Sequence, residues 1–215
     1  MRSYIRKIRN YLILIGITFL LGWMFIVILI PPDPHKRLKH PEKYDPFEAA
    51  GEIKDIDPII YKAIFAVETS SGTDIGECYV INRLDQRGKD FLLLICGENG
   101  LDPYKERGGD WGEIGLYHFL PETWLIDAED GNGDGRRNHH DLADCLLAVG
   151  NYLNRHGYQY DVWEAVRRFN GNDKKSWDYM RKVKAKAIEL GYKARSWNLA
   201  KNSAQVSMKL ERFLL

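Results

Sequence analysis

The chain is short of cysteine, with three among 215 residues (Cys78, Cys96 and Cys145), an odd number without a C-x-x-C pair. That excludes thiolate-rich metal modules and disulfide scaffolds as organising principles. Cys78 and Cys96 could bridge in an oxidising compartment, but buried free thiols are the simpler reading. Net charge is nearly absent too, +1 from 31 Lys and Arg against 30 Asp and Glu. Residues 1–10 carry four basic and no acidic side chains, and residues 174–215 carry eleven basic and three acidic ones. The intervening body is acidic. A chain of this kind lacks the dense basic face of a nucleic-acid binder, so no nucleic-acid partner is expected. Its tail reads as a solvated helical face. Internal repeats are missing and strand-like alternation is scarce, which leaves a mainly α fold class.

One long hydrophobic run is present. Residues 11–30 carry no charge and are rich in Leu, Ile and Phe. At about 1.5 Å per residue they span roughly 30 Å, the thickness of a bilayer core. Arg2, Arg6, Lys7 and Arg9 precede the run, so the positive-inside rule places residues 1–10 in the cytoplasm and everything after residue 30 outside. Lys36, Arg37 and Lys39 weigh weakly the other way. The run ends in I-L-I-P-P without a small-x-small cleavage site, which favours an uncleaved single-pass anchor in the cytoplasmic membrane over a signal peptide. Five prolines in 31–50 (Pro31, Pro32, Pro34, Pro41 and Pro46) suit an extended spacer. A main domain over 51–192 and a basic tail over 193–215 complete the chain.

The main domain is organised around residues 57–72, D-P-I-I-Y-K-A-I-F-A-V-E-T-S-S-G. Asp57 before Pro58 is a helix start, and Ser70, Ser71 and Gly72 mark its end. Ile60, Ile64 and Glu68 come at steps of four, so a helical period stacks Glu68 on the ridge that meets the core. A lone carboxylate there is costly to ionise, which is how proteins keep an acid protonated for general-acid work. The alternative is a Glu in the last turn that bends out to water.

Residues 108–124 read G-G-D-W-G-E-I-G-L-Y-H-F-L-P-E-T-W. Four glycines in eight residues predict a loop that comes close to something, and then a helix opening at Pro121. Trp111, Tyr117, Phe119 and Trp124 are dense for a plain surface loop and suit the aromatic wall of a sugar cleft. Residues 130–141, D-G-N-G-D-G-R-R-N-H-H-D, have the spacing of an EF-hand calcium loop. Asp130, Asn132, Asp134, the Arg136 carbonyl, Asn138 and Asp141 would fall at positions 1, 3, 5, 7, 9 and 12, with Gly135 at the sharp turn. Asp141 stands where a longer Glu normally binds, which predicts weaker binding. The competing reading is an acidic turn capping the next helix. His139 and His140 are adjacent and would not share a face of a regular helix or strand, which argues against a metal pair. Further helices are expected from 144 to 156, after Asp161, and from 177 to 190, with a short buried one over 91–96.

Three stretches in this order resemble the lytic murein transglycosylases, especially the membrane-bound B-type with its lysozyme-like catalytic domain. A-V-E-T-S-S-G is similar to that family's catalytic-glutamate helix and maps the acid onto Glu68. L-D-P-Y…G-E-I-G-L-Y-H-F-L-P-E-T-W resembles the segment lining its glycan cleft, and D-G-N-G-D-G and N-Y-L-N-R-H-G-Y resemble the loop and helix next in its chain. R-F-N-G resembles its Y-N-x-S near the active site. The resemblance covers roughly 55–190. Three departures stand out: His118 where the family has Gln, Phe169 where it has Tyr, and Gly109 near its Ser.

The resemblance implies a lysozyme-like helical domain with an EF-hand-like loop, preceded by one transmembrane helix, and makes 51–192 catalytic. It implies a peptidoglycan lyase that cleaves the MurNAc–GlcNAc β-1,4 bond and leaves 1,6-anhydro-MurNAc ends. Glu68 would act alone as acid and then base, since no second carboxylate is forced into the site by pattern; Asp74 and Glu113 are only near candidates. Gly112, Gly115, Tyr117, His118, Phe119, Phe169 and Asn170 would contact the glycan strand, with Asn170 holding the N-acetyl group. A calcium ion would be structural, and no cofactor would be required for the chemistry. The rivals are a hydrolytic muramidase of the lysozyme type and a peptidoglycan-binding protein without activity.

Overall fold

The computed structural model describes residues 32–69 and 76–193. The run at 11–30, the helix stop at Ser70, Ser71 and Gly72, Asp74 and the tail beyond 193 lie outside them. Eight α-helices are found among the described residues: α1 Pro34–Leu38, α2 Pro46–Lys54, α3 Pro58–Thr69, α4 Gln86–Asn99, α5 Pro121–Asp127, α6 Leu142–Arg155, α7 Val162–Phe169 and α8 Lys174–Glu189. No helix among them is long and apolar enough to cross a membrane. The only sheet among them pairs β1, Cys78–Tyr79, antiparallel with β2, Arg107–Gly108.

Capping follows the local chemistry. Pro46, Pro58 and Pro121 open α2, α3 and α5, where a missing N–H loses no helical bond. Aspartates accept the first free amides of two of these helices and of four others: Asp45 from Phe47, Asp57 from Ile59, Asp85 from Gly88, Asp141 from Ala143, Asp161 from Trp163 and Asp173 from Ser176. Here the extended spacer is corrected. Two of its five prolines start helices, and Leu38, Ala49 and Ala50 are completely buried, so the stretch from residue 34 belongs to the packed domain. The expected short helix over 91–96 is the middle of the longer α4. Cys78, Cys96 and Cys145 are all free.

The core gathers on α6, where Cys145, Leu146, Leu147, Ala148, Val149 and Leu153 are fully buried. α2 and α5 pack against it, and α3 packs against α8. Ile60, Tyr61, Ala63 and Ile64 of α3 are likewise without exposure, while Glu68 one turn later comes out at the edge of this packing. The ridge inferred from the spacing therefore ends at a cleft.

Candidate active site

Glu68 sits in the last turn of α3 with its side chain 10% exposed. It lines a cleft of about 670 Å³ with Trp111, Glu113, His118, Phe119, Tyr152, Phe169 and Asn170, and with Arg168 and Lys175 on the rim. The glycine-rich segment supplies one wall as a tight hairpin. Ile114 and Phe119 exchange both backbone hydrogen bonds, at 2.8 and 3.0 Å, and the His118 amide donates to the Gly115 carbonyl at 3.3 Å. That turn holds His118 at φ +50°, a region an L-residue adopts only under local constraint. The result is a ring aimed at the acid, with His118 Nδ1 3.4 Å from Glu68 Oε2.

α7 supplies the other wall. Phe169 meets Phe119 and Tyr152 edge-on, with centroids 5.4 and 5.1 Å apart. Asn170 comes next as the C-terminal cap of α7. Trp111, 74% exposed, is the free aromatic face of the cleft. Behind Glu68, burial first and the Glu68 carboxylate second push the Tyr179 hydroxyl well above the usual phenol range. Glu113 and Asp173 bring further carboxyls to the cleft, but Glu113 Oε2 accepts the Trp111 amide at 2.8 Å and Asp173 Oδ1 the Ser176 amide at 3.0 Å, which commits them to shaping the loop and capping α8.

Of the residues the sequence marked for the glycan, His118, Phe119, Phe169 and Asn170 lie in the cleft beside Glu68. Tyr117 does not. It is fully buried in the turn and its hydroxyl donates to the Tyr61 carbonyl at 3.4 Å, which seats the ring against α3 in the core. Trp124 is core as well. Gly112 and Gly115 answer packing demands: a Cβ would stand 2.5 Å from Leu84 Cδ2 at Gly112 and 2.2 Å from the His139 carbonyl at Gly115, and both have positive φ. Tyr152, Arg168, Lys175 and Tyr179 were missed. They come from helices whose faces read as ordinary amphipathic surface, and only the tertiary packing brings them to Glu68.

The 130–141 loop is closed by its own side chains. Asp130 accepts the amides of Gly133 and Gly135 at 2.6 and 2.8 Å, Asn132 that of Asp134, and Asp134 that of Arg136. Asn138 accepts the His140 amide, and Asp141 Oδ1 caps α6. Asp130, Asn132 and Asp134 thus curl around one turn, a donor set that fits a hard oxygen-seeking cation, while Asp141 gives one of its two oxygens to the α6 cap. A second staple was not foreseen. Asp144, fully buried, accepts the amides of Gly131, Asn132 and Asn138 and ties the loop to α6.

The family model of the transglycosylase SLT domain matches residues 42–212. The chain belongs to this family. The SLT domain is 28% identical over 127 residues to the membrane-bound lytic murein transglycosylase B of Escherichia coli strain K12, across 53% of this chain. The match spans about a third of that relative's length, 35%. Among solved structures, the SLT domain superposes on the Escherichia coli lytic transglycosylase Slt35 in complex with calcium, with a TM-score of 0.57 at 17% identity over 74% of this chain and 76% of that one. A 36 kDa muramidase/transglycosylase gives a TM-score of 0.50 at 25% identity over 60% and 46%. The fold is accordingly the mainly helical, lysozyme-like SLT fold.

Proposed function

We propose that this SLT domain is a lytic transglycosylase that cleaves the MurNAc–GlcNAc β-1,4 bond of peptidoglycan and leaves a 1,6-anhydro-MurNAc end. The observation that carries the reading is Glu68. Its carboxyl is nearly withdrawn from water at the end of an apolar ridge and opens into a cleft with aromatic walls and amide groups. A proton held there is placed to pass to the glycosidic oxygen as the C1–O bond breaks. Two catalytic carboxyls define most glycosidases. Here the other two that line the cleft, Glu113 and Asp173, are tied to the Trp111 and Ser176 amides, which leaves the substrate's own N-acetyl group to stabilise the developing cation, with Asn170 of the same cleft to hold it. Glu68, now a carboxylate, takes the proton of the muramoyl 6-hydroxyl as its oxygen closes on C1, and no water is consumed.

Residues 11–30 would hold the domain at the outer face of the cytoplasmic membrane, with residues 1–10 inside and glycan strands as the partner. Asp130, Asn132, Asp134 and the Arg136 carbonyl, with Asn138 and Asp141 behind them, would hold a structural calcium ion. It would take no part in the chemistry. Digestion of purified peptidoglycan by the full chain, with fragments read by mass spectrometry, tests the reaction. An anhydro end is lighter by one water than the reducing end that a muramidase leaves. Retained sacculus binding without products would support the non-catalytic alternative.

A further inference from the structure

Glu106, His139 and His140 form a cluster that the catalytic reading does not use. Glu106 lies just before β2, and its carbonyl accepts the Val80 amide at 3.1 Å. Its side chain, 8% exposed, turns inward. His139 is fully buried and His140 is 32% exposed. Adjacent residues on a regular helix or strand would diverge, but 139 and 140 lie in an irregular turn, and their ring centroids are 4.2 Å apart. Both Nε2 atoms meet the same Glu106 oxygen, at 2.9 and 3.0 Å. The irregular turn thus brings together two rings that a regular helix or strand would hold apart.

We propose that Glu106, His139 and His140 bind a divalent transition-metal ion of the zinc type, separate from any calcium held by the 130–141 loop. Two imidazoles and a carboxylate are a donor set that zinc accepts, whereas calcium prefers oxygen alone. All three candidate ligand atoms lie within 4.8 Å of one another. Ligands about 2.0–2.1 Å from a tetrahedral ion stand roughly 3.3 Å apart, so the two Nε2–Oε2 spacings need to open by only a few tenths of an ångström. Both backbones are already fixed. The His139 carbonyl accepts the Leu116 amide and the Cys145 thiol, each at 3.1 Å, and the His140 amide donates to Asn138 at 3.0 Å. The exposed edge of His140 leaves the fourth position to water.

Binding requires each imidazole to present a lone pair at Nε2, which moves any proton there to Nδ1 or to solvent. His139 Nδ1 is buried and makes no hydrogen bond among the described residues, so its partner in the metal-bound form would be a water. The consequence for the cleft is mechanical. Gly115 packs on the His139 backbone, and the same hairpin presents His118 to Glu68, so an ion here would clip the cleft wall to the start of α6.

The test is cobalt and zinc titration of the untagged full chain in detergent, with binding followed by calorimetry and by the visible absorption of cobalt. One equivalent should bind with the intense bands of four-coordinate cobalt, and excess zinc, but not excess calcium, should displace it. His140→Ala, at a partly exposed position, and Glu106→Gln should each weaken affinity by about tenfold or more. Circular dichroism confirms that the variants are folded, and His140→Ala carries the test should Glu106→Gln unfold. Absence of stoichiometric binding, displacement by calcium, or affinity unchanged in folded His140→Ala would each overturn the proposal.

Discussion

Glu68 and His118 are brought together by two unlike pieces of chain, the last turn of a helix and a strained hairpin. The helix was legible because Ile60, Ile64 and Glu68 keep a strict step of four. The hairpin's glycines were legible too, but not the φ of +50° that aims the His118 ring, since that follows from closure of the turn. His118→Ala should lower turnover about tenfold while sacculus binding persists, because the ring stands against the acid and is only one of several side chains that line the cleft. Parallel rate and pull-down assays check this; equal loss of both would make His118 a binding residue. Glu106 makes a second prediction. Burial alone would push its carboxyl up, but hydrogen bonds and attraction from His139 and His140 outweigh it and hold the group down at about 2. A lowered carboxyl stabilises the fold above its unfolded value and loses that stabilisation as pH falls. In chelator, wild-type stability should therefore fall by roughly 1–3 kcal/mol between about pH 4.5 and pH 2 relative to Glu106→Gln, as read by urea unfolding.

At the scale of elements, helix starts were the clearest signal. Asp-Pro at 57–58, Pro121 and Asp161 each stand where a helix begins, because caps and ring geometry act within a few residues. What long-range packing decides was not legible. α1 was hidden in a proline-rich stretch, and nothing local to Tyr117 distinguishes a core residue from a cleft wall. Asp144 lies three residues past the loop whose amides it binds, outside the calcium pattern altogether. Its role predicts that Asp144→Ala, which strands three buried or half-buried amides, should destabilise the domain by about 2–4 kcal/mol in denaturant unfolding. Gly115→Ala should cost a similar amount, since the new methyl meets the His139 carbonyl in a backbone region that alanine avoids. A change under about 0.5 kcal/mol in either variant would show that the loop and hairpin relax freely.

For the whole molecule, family membership rests on residues 42–212, and the cleft lies within them. Anchor and tail are readings of composition: twenty uncharged residues behind basic ones, and a basic excess at the other end. A structural calcium ion should raise the melting temperature by several degrees at saturation and not at all in Asp130→Ala. The central claim is that one buried carboxyl, helped by the substrate, breaks the glycan strand without water. Mass spectrometry of peptidoglycan digested by the full chain and by Glu68→Gln tests it most directly. The account predicts anhydro-muropeptides from the wild type and a rate reduced by about 10²–10⁴-fold in the variant, with binding intact. Reducing-end products from the wild type, or anhydro products undiminished in Glu68→Gln, would contradict it.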